Sequence, residues 1–289
     1  MRHLALAALA LAACEPALTP PSHGAGSGRA AARVRVATWN VHDLFDAMDR
    51  LFPPGELDLV PAPADVDAKL ALVAAVLVRL DADVVLLQEV ENAGILGRLA
   101  AEAGYPIARL VEGNDPRGID VALLSRLPIV AYASHLRDRA PDGRLLWPRD
   151  CVEAHADAGG GRRLVVVGSH FSSALSDDGT RRRWQAGRLR EIADGVAAAD
   201  PWALVLAGGD LNDEPASAAL APLLGDGAWL DTAPPGEASW PAASASARFD
   251  YLLVGAGAAR AVTAAWIDAG ADVVRASDHR PVVVDLRVE

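Results

Sequence analysis

Residues able to bind a cation and a phosphate follow an apolar run that ends near position 207. The run from Trp202 to Ala207 leads into two glycines and then into Asp210 and Asn212. In an extended chain successive side chains point to opposite faces, so Asp210 and Asn212 lie on the same side. Carboxylate and carboxamide oxygens suit Mg²⁺, Mn²⁺ or Ca²⁺. A polar turn that caps a helix over 213 to 224 explains the same residues equally well.

Polar side chains also follow two apolar segments nearer the N-terminus. Asn40 ends an alternating segment that begins at Val34, and Glu89 follows the aliphatic run that begins at Asp83. Apolar residues at helical spacing over 65 to 80 separate these segments, so strand, helix and strand bring Asn40 and Glu89 to corresponding ends. A surface carboxylate at the start of a helix is the alternative interpretation of Glu89.

Two histidines stand at the ends of predicted strands. His170 follows the apolar run that begins at Leu164, and the pair Asp278-His279 precedes the last apolar run of the chain. A lone histidine is usually a surface residue or a hydrogen-bonded core residue, but one at the end of a central strand is a better catalytic candidate. The Asp-His pair supplies a metal ligand or an orienting carboxylate together with a titratable base.

Two further segments are predicted to carry less chemistry. Helical spacing over 181 to 199 predicts an amphipathic helix with arginines on its outer face. A solvated helix face and a phosphate-binding patch both explain those arginines, and we favour the solvated face. The region 233 to 247 is rich in Pro, Gly, Ala and Ser, which predicts a loop over the surface.

Length and charge set broad limits. A chain of 289 residues holds one large or two small domains, and a hydrophobic content of 52% is ample for a core. The formal net charge of −11 argues against binding to duplex nucleic acid through counterion release alone. It leaves open an enzyme whose active site is locally basic or loaded with metal.

The N-terminus predicts a targeting segment. A short basic start, the apolar run Leu4 to Ala13 and the small residues before Cys14 are similar to a bacterial lipoprotein signal. The run is too short to remain as a membrane-spanning helix. We predict a signal peptide over 1–13, lipidation of Cys14, a flexible tether over 14–33 and one domain over 34–289. A plain secretory signal with a chance cysteine is the alternative. The expected location is the cell envelope, membrane-anchored or secreted.

Seven short motifs occur in a fixed order along the chain. They are Thr38-Trp39-Asn40-Val41, Leu87-Gln88-Glu89-Val90, Gly118-Ile119-Asp120-Val121-Ala122-Leu123-Leu124, Ser169-His170-Phe171, Gly209-Asp210-Leu211-Asn212, Phe249-Asp250-Tyr251 and Ser277-Asp278-His279-Arg280-Pro281. Together they resemble the motif set of the endonuclease/exonuclease/phosphatase superfamily, which has a pancreatic-type deoxyribonuclease-like fold. The resemblance covers about residues 34 to 288. It implies an α/β four-layered sandwich, with two mostly antiparallel sheets face to face, helices outside and the active site at one edge.

The resemblance also implies hydrolysis of a phosphate ester with Mg²⁺, or with Mn²⁺ or Ca²⁺, as cofactor. The implied metal side consists of Glu89 as principal ligand with Asn40 and Asp278 beside it. The implied catalytic residues are His279 as general base, Asp250 as the group that holds it, Asp210 and Asn212 as the pair that positions water and phosphate, and His170 as the donor to the transition state or leaving oxygen.

The resemblance is less specific about which residues contact the substrate phosphate. Arg117, Arg149 and Ser173 are the candidates, because the serines after His170 stand where related secreted proteins often carry lysine. Asp120 is a candidate orienter of His170.

Three functions remain open at this point. The first is a metal-dependent nuclease or phosphodiesterase that acts outside the cytoplasm. The second is a phosphatase or phospholipase C-type hydrolase on a phosphorylated lipid or small molecule, and the third is a catalytically inactive binding protein on the same fold. The expected partners are a phosphodiester or phosphomonoester substrate, with nucleic acid as one candidate, and a membrane reached through the lipid anchor. We expect a monomer.

The lipoprotein prediction has a direct test. Cys14→Ser removes the thiol that would carry the lipid, so the variant should move from the membrane fraction to the soluble fraction. Cys151→Ser changes the only other cysteine of the chain and is the matched control. Unchanged membrane fractionation of Cys14→Ser would remove the lipoprotein interpretation.

Overall fold

The computed structural model describes residues 33–48 and 59–288. The predicted signal peptide, Cys14 and almost all of the predicted tether lie outside these residues. The first strand begins at Arg33, one residue before the predicted start of the domain. Within the described part of the chain, no helix has the length and apolar character needed to cross a membrane.

Helices are interspersed among the strands along the chain. The strands are β1 (Arg33–Leu44), β2 (Val84–Val90), β3 (Ile107–Leu110), β4 (Asp120–Ser125), β5 (Ile129–Ser134), β6 (Cys151–Asp157), β7 (Arg163–His170), β8 (Leu204–Asp210), β9 (Trp229–Asp231), β10 (Asp250–Gly255), β11 (Val262–Ile267) and β12 (Val282–Arg287). The helices are α1 (Pro63–Leu80), α2 (Ala93–Ala103), α3 (Thr180–Ala199), α4 (Ala221–Leu224) and α5 (Val273–Ala276).

The strands form two six-stranded sheets. The order is β11-β12-β1-β2-β4-β3 in the first sheet and β5-β6-β7-β8-β10-β9 in the second. Among the strands of the described residues, only two neighbouring pairs are parallel, β1 with β2 and β7 with β8. The prediction of two mostly antiparallel sheets is confirmed.

Alternation of side chains along the strands builds three layers of core. Trp39 and Leu87 on the first sheet pack against α1 and α2, and Val167 on the second sheet packs in the layer with α3. The opposite faces, with Val36 on β1 and Leu206 on β8, meet each other between the sheets. Helices therefore cover the outside of both sheets, which confirms the predicted four-layered sandwich.

Local signals in the sequence account for the ends of the first two helices. Pro63 stands in the first turn of α1, where its missing N–H costs nothing. The side chain of Asn92 caps α2 by accepting hydrogen bonds from the backbone N–H groups of Gly94 and Ile95. Gly104 ends α2 in the left-handed conformation that glycine favours. The cap at Asn92 fixes the turn that immediately follows the end of β2.

Two glycines allow the sheets and strands to come close near the ends of β7 and β8. A Cβ on Gly168 would overlap the Leu86 side chain of the facing sheet. A Cβ on Gly208 would overlap the backbone carbonyl oxygen of Tyr251 on β10. Larger residues would push the strands apart, so glycine here keeps the last residues of β7, β8 and β10 next to one another.

Several predictions about segments need correction. The alternative helix over 213 to 224 is reduced to the single turn of α4. One arginine of α3 does not face solvent: Arg182 is buried and forms ion pairs with Asp177 and Asp213. The expected surface loop over 233 to 247 contains buried Ser239, and Trp240 lines the central cleft.

Candidate active site

The inward faces of four strands end in polar side chains. Asn40 on β1, His170 on β7, Asp210 on β8 and Asp250 on β10 occupy these positions, and all four are buried. The strand register places His170 beside Asp210 and Asp210 beside Asp250. A cleft of about 950 Å³ opens at this edge of the sandwich, as the resemblance implied.

Asp250 and His279 form a buried hydrogen-bonded pair. Nδ1 of His279 lies 2.8 Å from Oδ2 of Asp250, which is fully buried. Trp39 donates to the backbone oxygen of His279, the backbone N–H of His279 donates to Ser277 Oγ, and Ser277 Oγ donates to the backbone oxygen of Asn40, so the loop is tied to β1. Burial lowers the pKa of His279, but the charges of Asp250 and Asp210 outweigh it and raise the pKa to about 10. In this arrangement the imidazole holds a proton at neutral pH.

Asp210 lies between the two histidines. Its Oδ2 accepts a hydrogen bond from Asn40 Nδ2 at 2.9 Å and is 3.4 Å from Nε2 of His170 and 3.9 Å from Nε2 of His279. Burial raises the pKa of Asp210 to about 7, with the charge of Asp250 adding to the rise and the charge of His279 opposing it. The residues that the sequence analysis grouped for acid–base work are therefore brought together.

Asn212 reaches the cleft through a left-handed backbone conformation, with φ of 51°. Its Nδ2 donates to the backbone oxygen of Phe171 at 3.1 Å. This contact holds the carboxamide against the end of β7, at the wall of the cleft.

His170 is neutral and has one unused ring nitrogen. Burial, together with the positive charge of Arg149, lowers the pKa of His170 well below its usual value. Its Nδ1 has no hydrogen-bond partner among the residues that the structure describes. The prediction that Asp120 orients His170 is wrong, because Oδ1 of Asp120 instead accepts a hydrogen bond from the backbone N–H of Gly113 at 2.8 Å. Asp120 begins β4, and its carboxylate turns toward the loop that precedes this strand.

Glu89 enters the cleft through a β-bulge. Simple alternation would send it toward the helices, because Gln88 faces the space between the sheets and donates to Thr38. Glu89 instead has φ of 64° and no register partner on β1 or β4. Its Oε1 accepts from Asn40 Nδ2 at 3.1 Å. Burial raises the pKa of Glu89. The hydrogen bond from Asn40 and the charge of Arg117 lower this pKa by more than burial raises it, so the net shift is downward.

Asp43 is a site residue that the sequence analysis missed. His42 and Asp43 both have φ of 55°, where the register of β1 shifts between Asn40 and Leu44. The backbone N–H of Asp43 donates to Glu89 Oε2 at 3.0 Å. Burial and the neighbouring charge of Glu89 raise the pKa of Asp43 to about 6. The only sequence signal was an acid three positions after Asn40.

The acidic side of the cleft fits a divalent cation. Oδ1 of Asp43 and Oδ1 of Asp278 are buried oxygens without a hydrogen-bond partner in the described residues. With Glu89 they offer carboxylate oxygens, which hard cations prefer. A second group, Asp210, Asp250 and His279, has ligand atoms within 4.8 Å of one another and could also hold a cation. In that group, however, Nδ1 of His279 is already bonded to Asp250.

The three candidate phosphate contacts all line the cleft, but they differ in availability. Arg149 is buried, with one amino nitrogen 2.7 Å from Asp115 Oδ2 and the other donating to Phe171 O, so its charge is already paired. Ser173 Oγ accepts from the backbone N–H of Leu175. Arg117 is 40% exposed and lies 3.6 Å from Asp115, which leaves it the more accessible of the two cations.

The sequence from residue 37 to 279 matches the model of the Endonuclease/Exonuclease/phosphatase family. The chain belongs to this family. As a family member it is a hydrolase that acts on phosphate esters, and the family is generally dependent on a divalent metal. No curated protein matches the sequence significantly.

Solved structures share the fold over most of the chain. An endonuclease/exonuclease/phosphatase from Beutenbergia cavernae is 25% identical, with a TM-score of 0.64 over 89% of this chain and 72% of that one. Truncated TDP2 from Caenorhabditis elegans is 17% identical, with a TM-score of 0.63 over 88% and 97% of the two chains. A family member from Bacteroides vulgatus is 18% identical, with a TM-score of 0.63 over 89% and 99%.

Asp120→Asn tests the corrected role of Asp120. Burial raises the pKa of Asp120 to about 7. An unfolded aspartate titrates at about 4, so the folded state binds the proton more tightly and this group's stability contribution is lost as pH rises from about 4 to about 7. Asparagine keeps the acceptor for Gly113 and does not titrate. Urea unfolding should therefore show the variant gaining stability relative to the parent between about pH 4 and pH 7.

The same variant separates the two roles. Because Asp120 does not contact His170, its kcat should stay close to that of the parent. A large fall in kcat with an unchanged pH dependence of unfolding would restore Asp120 as the orienter of His170.

Proposed function

We propose that the protein is a divalent-metal-dependent phosphodiesterase, with a nuclease as the first candidate. The observation that carries the proposal is the arrangement of one cleft. The proton-handling group of Asp210, Asp250 and His279 lies on one side, and the carboxylates of Glu89 and Asp43 lie on the other. Asn40 is hydrogen-bonded to Glu89 and to Asp210, so the two sides are a fixed distance apart.

The cation is assigned to the acidic side of the cleft. Glu89 is the principal ligand, with Asn40 and Asp278 beside it. Mg²⁺ is the first candidate and Mn²⁺ or Ca²⁺ the alternatives, because the donors are oxygens. When bound, a divalent cation neutralises phosphate charge and lowers the pKa of nearby imidazoles.

Proton transfer is assigned to the two histidines. His279, once it has lost its proton, accepts one from the attacking water at Nε2, while Asp250 holds Nδ1 and stabilises the imidazolium that forms. Asp210 and Asn212 position the water and the phosphate at the ends of the strands. His170 is neutral, so it can donate an N–H to the developing charge or the leaving oxygen.

The size of the cleft favours a diester over a monoester. Its walls include the aromatic residues Trp240 and Phe249 beside His279, and a loop with Arg117 and Arg149 on another side. A volume of about 950 Å³ leaves room for groups on both ester oxygens of the phosphate. A phosphatase or phospholipase C-type hydrolase is the alternative. The complete set of catalytic side chains argues against an inactive binding protein.

The cellular setting is part of the proposal. We infer from the sequence of residues 1–33 that the domain over 34–289 is tethered to a membrane of the cell envelope through Cys14, and we propose that it is a monomer. An extracytoplasmic diester substrate, such as nucleic acid, is consistent with that location.

A substrate screen tests the proposed function. Purified protein is incubated with plasmid DNA, RNA, sphingomyelin, a phosphoinositide, bis(p-nitrophenyl) phosphate and p-nitrophenyl phosphate, with Mg²⁺, Mn²⁺, Ca²⁺ or EDTA. We expect metal-dependent cleavage of diesters, with nucleic acid cleaved fastest. Hydrolysis of monoesters alone would replace the proposal with a phosphatase.

Glu89→Gln tests the assignment of the metal. The substitution keeps the size of the side chain and removes its charge. Residues that only hydrogen-bond to metal ligands typically cost about 10- to 100-fold in metal affinity or activity when mutated. Loss of a principal ligand should therefore lower turnover and Mn²⁺ affinity by more than this. Glu112→Gln removes an exposed carboxylate outside the cleft and is the matched control. Parent-like Mn²⁺ binding by folded Glu89→Gln would move the cation elsewhere.

A double-mutant cycle tests the Asp250 and His279 pair. Asp250→Asn should lower kcat by about 10²- to 10⁴-fold, the range for positioned acid–base groups. His279→Ala should cost at least as much, and the double variant should be little worse than His279→Ala, because the pair acts as one unit. Multiplicative losses in kcat would show independent roles and would transfer the general-base assignment to His170.

A further inference from the structure

The segment from Ser239 to Ala242 touches both halves of the acid–base pair. Ser239 is fully buried, and its Oγ accepts hydrogen bonds from the backbone N–H groups of Phe249 and Asp250, each at 3.1 Å. Its backbone oxygen accepts from the N–H of Arg280 at 2.8 Å. One residue therefore ties the start of β10, which carries Asp250, to the loop that carries His279.

The next residue, Trp240, contacts three residues at the wall of the cleft. Its Nε1 donates to Asp278 Oδ2 at 3.1 Å. Its ring stacks on Phe249, with centroids 5.4 Å apart and an interplanar angle of 26°, and lies 6.5 Å from the ring of His279. The backbone N–H of Ala242 donates to the backbone oxygen of Asp278 at 2.6 Å. Both the backbone and one carboxylate oxygen of Asp278 are thus held from the same segment.

We propose that Trp240 is a positioning residue that orients the carboxylate of Asp278 for the cation. The indole N–H holds Oδ2, and the other oxygen, Oδ1, is the buried oxygen without a hydrogen-bond partner in the described residues. The inference rests on the proposed function, because it requires a cation on the acidic side of the cleft.

A competing partner shows why the carboxylate needs to be held. Nδ1 of His42 lies 3.4 Å from Asp278 Oδ1, and the Asp278 side chain is 39% exposed. Without the indole N–H, the carboxylate can rotate and use both oxygens for His42 and water. Groups that hydrogen-bond to metal ligands typically set the orientation of those ligands and through it the affinity for the metal.

Trp240→Phe removes the indole N–H while keeping an aromatic ring against Phe249. The measurement is Mn²⁺ affinity of the full chain, followed by the electron paramagnetic resonance signal of free Mn²⁺, which does not depend on turnover. We expect the Kd for Mn²⁺ to rise about 10-fold or more. Trp202→Phe changes a tryptophan that is 80% exposed, and it should bind Mn²⁺ as the parent does.

A double variant tests whether Trp240 acts through Asp278. Asp278→Ala should weaken Mn²⁺ binding, and adding Trp240→Phe should weaken it no further, because the group that the indole orients is gone. The inference is overturned if Trp240→Phe binds Mn²⁺ as the parent does. It is also overturned if the fold-loss in Mn²⁺ affinity of the double variant equals the product of the two single fold-losses. If Trp240→Phe does not fold, Asp278→Ala alone is still decisive. Parent-like Mn²⁺ affinity of that variant would overturn the inference, because Asp278 would then not bind the cation.

The parent protein separates this inference from the proposed function. A parent that neither binds Mn²⁺ nor cleaves bis(p-nitrophenyl) phosphate would overturn both. A parent that does both, with Trp240→Phe equal to it in Mn²⁺ affinity, would overturn the inference and leave the proposed function standing.

Discussion

The buried pair of Asp250 and His279 is the interaction on which the rest of the site depends. A fully buried carboxylate is costly unless a hydrogen-bonded partner compensates it, and here the partner is the imidazole. The loop that supplies the imidazole is held by Trp39 from β1 and by Ser239 from the segment before β10. Buried polar contacts from distant segments therefore all help to fix one distance, that between Nδ1 of His279 and Oδ2 of Asp250.

The two halves of the cleft come from different sheets. Glu89 and Asp43 belong to strands of the first sheet, whereas His170, Asp210 and Asp250 belong to the second. The apolar layer between the sheets consequently sets the distance across the cleft. Asn40 crosses that distance directly, because its Nδ2 donates to Glu89 in its own sheet and to Asp210 in the facing one.

Strand alternation and motif order predicted most of this arrangement. Asn40, Asp210 and Asp250 could be placed from the sequence because each ends the inward face of a regular strand. Glu89 was chosen through the resemblance, and it lies in the cleft, but the bulge that turns it there left no periodic signal. Asp43 was missed for the same reason. The contacts of Ser239 and Trp240 were not predicted, because their segment has a composition typical of surface loops and hydrogen bonds to distant segments have no local pattern. Asp120 was misplaced because a shared motif does not reveal which way a side chain turns.

The order of the strands along the chain also determines when the site can exist. Residues up to Ser125 supply four strands of the first sheet, residues 129 to 255 supply all of the second, and the chain then returns to the first sheet with β11 and β12. His279 is made just before β12, the strand that pairs with β1. During synthesis His279, the proposed general base, and the strand that completes the first sheet therefore follow all the other described strands. A nascent chain or a fragment that stops before this point lacks the pair of Asp250 and His279, so under the proposed mechanism hydrolysis begins only once the fold is closed.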